Sequence, residues 1–334
     1  MTLEIGLKCP IACRHCWSDC RPDRVEQMDL AVLRTAIRQF GEIEHSEIVA
    51  LTGGEPFIYP DHLLIALEEI NRFPHLKSSV ITNGFWATSK RKAIETLENL
   101  PQINQVCVST DIYHKEFIPP AFIKNALLAC EELGIYTFLA VCIENYETYH
   151  DELKRTLGED LFNRTVKWVT DLQKIGRAVN LTINSKRLSD NILWDSCFIA
   201  GSPFILYDGT VVTCCNCTRL RRSTYKPPSK GFISPLEVGR LSTSRLQDMF
   251  LEMNEDVIIQ TLRTIGVGGI LNILKQTGMC REDVSSYNHV CELCIKLLTD
   301  PQLVKRLREL LTSQTYLEQV ALRRAYYYGE AVEA

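Results

Sequence analysis

The chain has 334 residues, of which 46% are hydrophobic and 23% are charged, and its formal net charge is −4. These values are typical of a globular protein with an ample core, and they argue against the strongly basic surface of a nucleic-acid-binding protein. We find no signal-peptide pattern and expect no apolar run long enough to span a membrane. We therefore predict a cytoplasmic protein whose 14 cysteines are reduced.

The first half of the chain alternates short apolar runs with amphipathic segments, which is typical of β-α units on a parallel sheet. Six strands are predicted, at about residues 3–9, 47–51, 78–82, 105–109, 136–142 and 166–170. Helical spacing between them, as at Leu33, Ile37 and Phe40, predicts the intervening helices. Residues that do chemistry on such a sheet lie at the carboxyl ends of its strands.

Three cysteines follow the first predicted strand, with the spacing Cys-x3-Cys-x2-Cys. They are Cys9, Cys13 and Cys16. A 4Fe-4S cluster normally has four cysteine ligands, so a three-cysteine loop leaves one iron for a ligand from outside the protein. Zinc sites commonly use two Cys-x2-Cys or Cys-x4-Cys pairs, which this spacing fits poorly, and disulfide frameworks belong to short secreted chains.

This loop, with Trp17 directly after its third cysteine, resembles the cluster loop of the radical SAM enzymes. The resemblance implies a partial (β/α)6 barrel and a molecule of S-adenosylmethionine (SAM) at the open iron. It extends to Gly53, Gly54, Glu55 and Pro56, which are similar to the GGEP motif of the family. In the family, the backbone and carboxylate of this motif hold the amino group of SAM, and glycine allows backbone to approach a ligand closely.

Three more strand ends resemble parts of a SAM pocket. Asn83 follows the third strand and either lines the pocket or belongs to a plain turn. Ser109 and Asp111 follow the fourth strand, where relatives contact the SAM ribose; the alternative is that Asp111 caps the next turn. Arg177, in a Gly-Arg-Ala segment after the sixth strand, corresponds to an arginine that faces the SAM carboxylate, or it is a surface arginine.

Three residues just beyond Asp111 are candidates for substrate contact or proton transfer. They are Tyr113, His114 and Lys115, and a histidine is suited to proton transfer because it titrates near neutral pH.

A second group of cysteines begins beyond about residue 186. Cys197, Gly209 and Cys214 reproduce the Cys-x9–15-Gly-x4-Cys pattern that opens the auxiliary-cluster domains of the family, called SPASM when full and Twitch when short. Cys291 and Cys294 follow a long insertion, so the four cysteines would hold one auxiliary iron–sulfur cluster. Because the chain has no cysteine after this pair, it resembles Twitch more closely than SPASM.

The ligand set of this second site stays open at the level of sequence. Zinc is an alternative to an iron–sulfur cluster, since four cysteines in two groups also form structural zinc sites. Cys215, Cys217 and Cys280 are substitute ligands. The basic stretch 219–230, within the insertion, is expected to be a solvated loop or a contact for an acidic or peptide substrate.

These patterns divide the chain into three parts. Residues 1–185 are predicted to form the radical SAM barrel, and residues 186–299 a small α+β Twitch-like auxiliary domain. Residues 300–334 are predicted to form a C-terminal helix, with Asp300 as its cap and Pro301 at its start.

The resemblance implies an enzyme in which a reduced cluster cleaves SAM to a 5'-deoxyadenosyl radical that abstracts a hydrogen atom. Relatives with auxiliary domains often oxidise, crosslink or epimerise ribosomally made peptides, which is the favoured function, and others act on small molecules. The expected partners are a flavodoxin or ferredoxin and, because the cluster loop begins at residue 9, a separate peptide-recognition protein. A non-catalytic, zinc-stabilised binding module is the remaining alternative. We expect neither nucleic acid nor a membrane as a partner.

Overall fold

The structure, a computed structural model, describes residues 1–143, 146–182, 195–220 and 232–329. Most of the basic stretch 219–230 lies outside these residues. The chain forms two compact units. The first contains Met1–Ser185 and Ile205–Gly209, and the second contains Lys186–Phe204 and Thr210–Ala334.

The first unit is built on six strands. They are β1 (Thr2–Glu4), β2 (Ile48–Thr52), β3 (Lys77–Thr82), β4 (Gln105–Ser109), β5 (Tyr136–Ile143) and β6 (Val166–Asp171). The strands lie side by side in sequence order, and each neighbouring pair is parallel. All six predicted strands and the parallel α/β fold are confirmed.

Six helices connect or flank these strands. They are α1 (Leu30–Gly41), α2 (Pro60–Ile70), α3 (Lys90–Glu98), α4 (Pro120–Glu132), α5 (Tyr146–Leu157) and α6 (Glu159–Arg164). Local signals explain their ends: the Asp29 side chain accepts hydrogen bonds from two backbone N–H groups at the start of α1, and Pro60 is the first residue of α2. Gly134, with a φ of +68°, follows α4 and permits the left-handed turn that ends it.

The core of the first unit lies on the central strands. Leu3, Leu51, Val80, Val106 and Leu139, one from each of β1 to β5, are fully buried. Burial of such a side chain stabilises the fold by roughly 1.5–3 kcal/mol. Parallel strands that are covered on both faces consist of nearly continuous apolar residues, and for this reason these strands could be predicted from the sequence.

Strand β1 is shorter than predicted because its chain leaves the sheet to form the cluster loop. Residues 3–9 were expected to be strand, but β1 ends at Glu4. Gly6 then forms an isolated bridge with Gln27, and Lys8 forms another with Arg21. These bridges fold the loop back on the segment that follows it and so fix the position of the cysteines.

The second unit combines short strands with helices. Strand β7 (Phe204–Ile205) lies where the two units divide, and β8 (Thr210–Val212) pairs antiparallel with β9 (Glu237–Arg240). The helices are α7 (Leu246–Glu255), α8 (Val257–Gln276), α9 (Val290–Leu298), α10 (Pro301–Leu311) and α11 (Gln314–Tyr328). Helix α10 starts as predicted, with Asp300 accepting hydrogen bonds from its first turn. Helices α10 and α11 both pack on α8 and thus belong to this unit.

Helix α8 corrects one prediction from the sequence. Among the described residues it is the one helix long and apolar enough to cross a membrane, although no such stretch was expected. However, 78% of its apolar window is buried within the protein. A central core helix passes the same test of length and composition, and α8 is the helix on which the others in this unit pack.

Candidate active site

The cluster loop brings its three cysteines together at the carboxyl end of β1. Cys9 and Cys13 are buried, Cys16 is half-buried, and none of the three forms a disulfide. Their sulfur atoms are close enough that the three groups, as thiolates, would repel one another electrostatically. Three converging thiols are the donor set that three irons of a 4Fe-4S cluster require, so the residues present fit this cofactor.

The three thiols differ in acidity. Burial raises the pKa of Cys9 to about 12, and burial likewise raises the pKa of Cys13. Hydrogen bonds from Cys20 lower the pKa of Cys16 to about 5, with a further contribution from the positive charge of Arg177. Cys16 is therefore the most acidic of the three thiols, whereas Cys9 and Cys13 lose their protons when a metal supplies positive charge.

The Gly-Gly-Glu-Pro segment is attached to the cluster loop through its backbone. Gly54 N donates a hydrogen bond to Gly6 O at 2.8 Å, and Glu55 N donates to Lys8 O at 3.0 Å. A Cβ built on Gly54 would overlap the Lys8 carbonyl oxygen, and Gly53 has a φ of +133°. From the sequence, these glycines are expected to allow a ligand to approach closely. In the structure, the backbone that approaches them is that of the cluster loop itself.

Glu55 is a fully buried carboxylate held by hydrogen bonds at the ends of β2 and β3. It accepts from Thr82 Oγ1 at 2.7 Å, from Asn83 N at 2.8 Å and from Phe57 N at 3.2 Å. Burial nevertheless raises its pKa to about 7. Such a fixed, poorly solvated carboxylate favours a cationic partner, because an ammonium group would restore its preference for the charged form. Pro56 begins the short turn that follows and is buried beside it.

Asn83 combines the two roles that the sequence left open. Its side-chain oxygen accepts from Phe85 N at 3.0 Å, which closes a local turn. Its side-chain nitrogen lies 3.5 Å from Cys9 Sγ. The residue is buried, so this contact connects the end of β3 to the cysteine loop.

Asp111 caps its own turn and also holds two histidines. Its Oδ1 accepts from the backbone N–H groups of Tyr113 and His114, both at 2.9 Å. Its Oδ2 lies 2.9 Å from His114 Nδ1 and 3.2 Å from His15 Nε2. Burial alone would raise the pKa of Asp111, but the two histidines hold it well below its usual range. Burial would lower the pKa of His114, yet the charge of Asp111 raises it.

The neighbours of Asp111 complete an aromatic cluster. Tyr113 is buried and stacks on His15 with ring centroids 4.7 Å apart. Ser109 is half-buried at the end of β4. Sequence reasoning singled out Tyr113 and His114 but missed His15, although its position between two cluster cysteines was a signal that could have identified it.

Arg177 lies on the cluster loop rather than free to meet a ligand. Its guanidinium donates to Cys13 O at 2.6 and 2.9 Å and to Cys20 O at 2.9 Å, and it pairs with Asp19 at 3.0 Å. A Cβ on Gly176 would overlap the backbone of the same loop. The forked donors of Arg177 therefore bind carbonyls of the loop in the structure, and its expected pairing with the SAM carboxylate stays a prediction.

The second unit gathers the cysteines that were predicted as auxiliary ligands. Cys294 is close enough to three other cysteines that their thiolates would repel it electrostatically; these are Cys197, Cys214 and Cys291. Asn216 Nδ2 lies 3.1 Å from Cys291 Sγ. Burial raises the pKa of Cys291, so neutral thiols are favoured without a metal. The four predicted ligands are thus within electrostatic reach of one another, and their all-sulfur donor set fits an iron–sulfur cluster or zinc.

The substitute cysteines fall into two groups. Cys217 Sγ lies 3.3 Å from Cys214 Sγ, and Cys215, whose pKa burial raises to about 12, lies within electrostatic reach of Cys214 and Cys197. Cys280 is buried and interacts with Tyr287. The structure therefore keeps Cys215 and Cys217 beside the auxiliary site.

A parallel α/β unit with a three-cysteine loop and a Gly-Gly-Glu-Pro segment at its strand ends defines an iron–sulfur enzyme of the SAM-cleaving class. Residues 3–184 match the family model of the Radical SAM superfamily, and the chain belongs to this superfamily. Membership implies a 4Fe-4S cluster and SAM as cofactors.

One curated protein and two solved structures show the extent of the similarity. The chain is 24% identical over 317 residues to YydG of Bacillus subtilis (strain 168), a protein assigned by name to peptide biosynthesis, and the alignment covers 90% of this chain and 92% of YydG. The structure of anSMEcpe with AdoMet and the Cp18Cys peptide matches with a TM-score of 0.57 at 13% identity, over 92% of this chain and 98% of that chain. Streptococcus suis SuiB bound to precursor peptide SuiA matches with a TM-score of 0.56 at 13% identity, over 87% and 75%. At these identities the two structures show the fold.

Proposed function

We propose that this enzyme cleaves SAM reductively and uses the resulting radical to abstract a hydrogen atom from a ribosomally made peptide. The observation that carries the proposal is the attachment of the Gly-Gly-Glu-Pro segment to the three-cysteine loop, since it fixes Glu55 relative to Cys9, Cys13 and Cys16. Cys9, Cys13 and Cys16 would hold the cluster, which would supply the electron for reductive cleavage of SAM.

Each part of the site has a distinct task in this proposal. Cys9, Cys13 and Cys16 would hold the cluster, and the buried carboxylate of Glu55 would accept hydrogen bonds from the SAM ammonium group. Gly53 and Gly54 keep the two backbones in contact. Arg177 braces the loop by binding its carbonyl groups, which prevents the cysteines from moving apart.

The SAM ribose is assigned to the end of β4, beside Ser109 and Asp111. Because Asp111 already accepts from two backbone N–H groups and two histidines, ribose hydroxyls would share its oxygens or displace a histidine. Asn83 is assigned to the same pocket. His114 is the candidate for proton transfer, since it is half-buried and held in one orientation, whereas Tyr113 is packed under His15.

Peptide modification is favoured over small-molecule chemistry by the comparisons. YydG is assigned by name to peptide biosynthesis, and the two matched structures contain peptides. Oxidation, crosslinking and epimerisation are all compatible with this substrate class. Dehydrogenation or rearrangement of a small molecule is the alternative.

The auxiliary site and the partners complete the proposal. Cys197, Cys214, Cys291 and Cys294 would hold a second iron–sulfur cluster, with zinc as the alternative. The electron donor would be a flavodoxin or ferredoxin, and a separate protein would present the peptide. We place the enzyme in the cytoplasm.

The experiment is dithionite-driven release of 5'-deoxyadenosine by the reconstituted enzyme. Cys16→Ala should abolish release, whereas Cys130→Ala, which changes a buried cysteine on α4, is the matched control and should retain it. Release that is equal in both variants would contradict the assignment of the cluster. Mass spectrometry of short peptides encoded beside the enzyme, incubated with SAM, would then show a mass change or a stereochemical change if the substrate is a peptide. An unmodified peptide together with a turned-over small molecule would favour the alternative.

A further inference from the structure

A sulfur and two imidazoles converge inside the first unit. Ligand atoms of Cys13, His15 and His114 lie within 4.8 Å of one another. Cys13 is buried, and the side chains of His15 and His114 are only 10% and 16% exposed. One thiolate and two imidazoles are ligands that Zn²⁺ and similar divalent metals bind well.

Asp111 orients both imidazoles for metal binding. Its Oδ2 faces Nε2 of His15 at 3.2 Å and Nδ1 of His114 at 2.9 Å. A carboxylate in this position favours N–H on those two nitrogens, which leaves the lone pairs on Nδ1 of His15 and Nε2 of His114. Histidines that bind metals usually donate their other ring N–H to a carboxylate in this way, which fixes the tautomer and the ring orientation.

The structure contains a further sign that a ligand belongs here. Nδ1 of His15 is buried and has no hydrogen-bond partner. A buried polar atom without a partner costs roughly 1–3 kcal/mol, and most such atoms in proteins are satisfied. A metal ion between His15, His114 and Cys13 would accept this lone pair and remove the cost.

We propose that, before its iron–sulfur cluster is loaded, the chain binds one zinc-like divalent ion through Cys13 Sγ and one ring nitrogen each of His15 and His114, with water as the fourth ligand. Binding releases the thiol proton of Cys13 to solvent and involves no electron transfer. A second consequence rests on the proposed function, in which Cys13 is also a cluster ligand. The divalent ion and the 4Fe-4S cluster then exclude each other, so zinc would oppose loading of the cluster.

The test uses the cluster-free, full-length chain with Co²⁺ as a spectroscopic probe. Wild type should bind one more equivalent of Co²⁺ than His15→Ala or His114→Ala, with absorption bands of cobalt bound to thiolate. His75→Ala, which changes an exposed histidine, is the matched control and should bind as wild type does. Any cobalt bound by the auxiliary cysteines is common to every variant and so cancels in the comparison. Equal stoichiometry in wild type and both histidine variants would overturn the proposal.

A second variant separates loss of the site from loss of the fold. Asp111→Asn retains a side-chain oxygen that can cap the turn at Tyr113, but its amide N–H groups no longer favour the metal-binding tautomers. We expect its Co²⁺ affinity at this site to fall by about 10- to 100-fold, with unchanged circular dichroism. Unchanged affinity in Asp111→Asn would show that Asp111 does not orient the ligands.

Exclusion is tested by adding Zn²⁺ before reconstitution with iron and sulfide. Wild type and His75→Ala should then lose about four more irons per chain than His114→Ala. If zinc lowers the iron content of all three equally, the ion and the cluster do not compete at Cys13. Failure of these metal-binding tests leaves SAM cleavage by the fully loaded enzyme unaffected, so it is distinguishable from failure of the proposed function.

Discussion

Replacement of Gly54 with alanine is expected to detach the Gly-Gly-Glu-Pro segment from the cluster loop. The new Cβ would lie far inside 3.0 Å of the Lys8 carbonyl oxygen, a separation that real Cβ atoms essentially never show. The two backbones must therefore separate, which breaks the hydrogen bonds from Gly54 N to Gly6 O and from Glu55 N to Lys8 O. Two lost hydrogen bonds cost about 2 kcal/mol and the overpacking about 1–3 kcal/mol, so we expect a loss of about 3–5 kcal/mol.

Urea unfolding of the cluster-free chain measures this loss, and the iron content after reconstitution measures its effect on the site. Gly134→Ala is the matched control, because Gly134 has a φ of +68° but no atom within 4 Å of the added Cβ. It should cost about 1–2 kcal/mol from backbone strain alone and leave the iron content unchanged. The reasoning is refuted if Gly54→Ala is as stable as Gly134→Ala and binds as much iron as the wild type.

Three further substitutions test other contacts of the first unit. Burial raises the pKa of Glu55 from 4.5 to about 7, so the folded state holds this proton more tightly than the unfolded state does. The free energy of unfolding of the wild type should therefore fall by roughly 3 kcal/mol as the pH rises from 4.5 to about 7. Glu55→Gln should lack this loss in thermal unfolding and bind SAM more weakly; an unchanged pH profile would count against a buried, titrating Glu55. Arg177→Lys, which cannot maintain the forked bonds to Cys13 O, should lower the iron held by the first unit, and equal iron would oppose the bracing role. Hydrogen bonds from Arg38 lower the pKa of buried Glu69, so its contribution to the free energy of unfolding should be complete above about pH 4.5 and lost as the pH falls through the lower folded pKa. The free energy of unfolding of Glu69→Gln should therefore fall less at acid pH than that of the wild type. An identical fall in both proteins would contradict a stabilising, charged Glu69.

Most of the sheet and the first cysteine site could be predicted from the sequence because their signals are local. The strands are short apolar runs, and Cys9, Cys13 and Cys16 share one loop. The signals failed where the chain contacts a distant part of itself. Residues 5–8 read as strand, but their partners Gln27 and Arg21 lie beyond the cysteines and draw the chain out of the sheet.

Contacts at long range also explain what the sequence left uncertain in the site. Arg177 binds carbonyls more than 150 residues away, so its spacing carried no sign of that partner. His15 and Asp111 meet only in the folded chain, and a lone histidine between cysteines gives no indication of a carboxylate partner. Helix α8 was missed as an apolar span because Arg263 and Lys275 interrupt its sequence, and in the structure the helix is itself kinked at Gly266, whose φ is +64°.

The central claim is that the N-terminal cysteines hold the cluster that cleaves SAM and that a second cluster lies in the auxiliary site. The most direct measurement is the iron and acid-labile sulfide content of anaerobically purified wild type and of the double variant Cys197→Ala and Cys214→Ala, together with release of 5'-deoxyadenosine. The account predicts about eight irons in the wild type and about four in the variant, with SAM still cleaved by both. Four irons in both proteins would contradict the second cluster, and the absence of iron and of SAM cleavage would contradict the account as a whole.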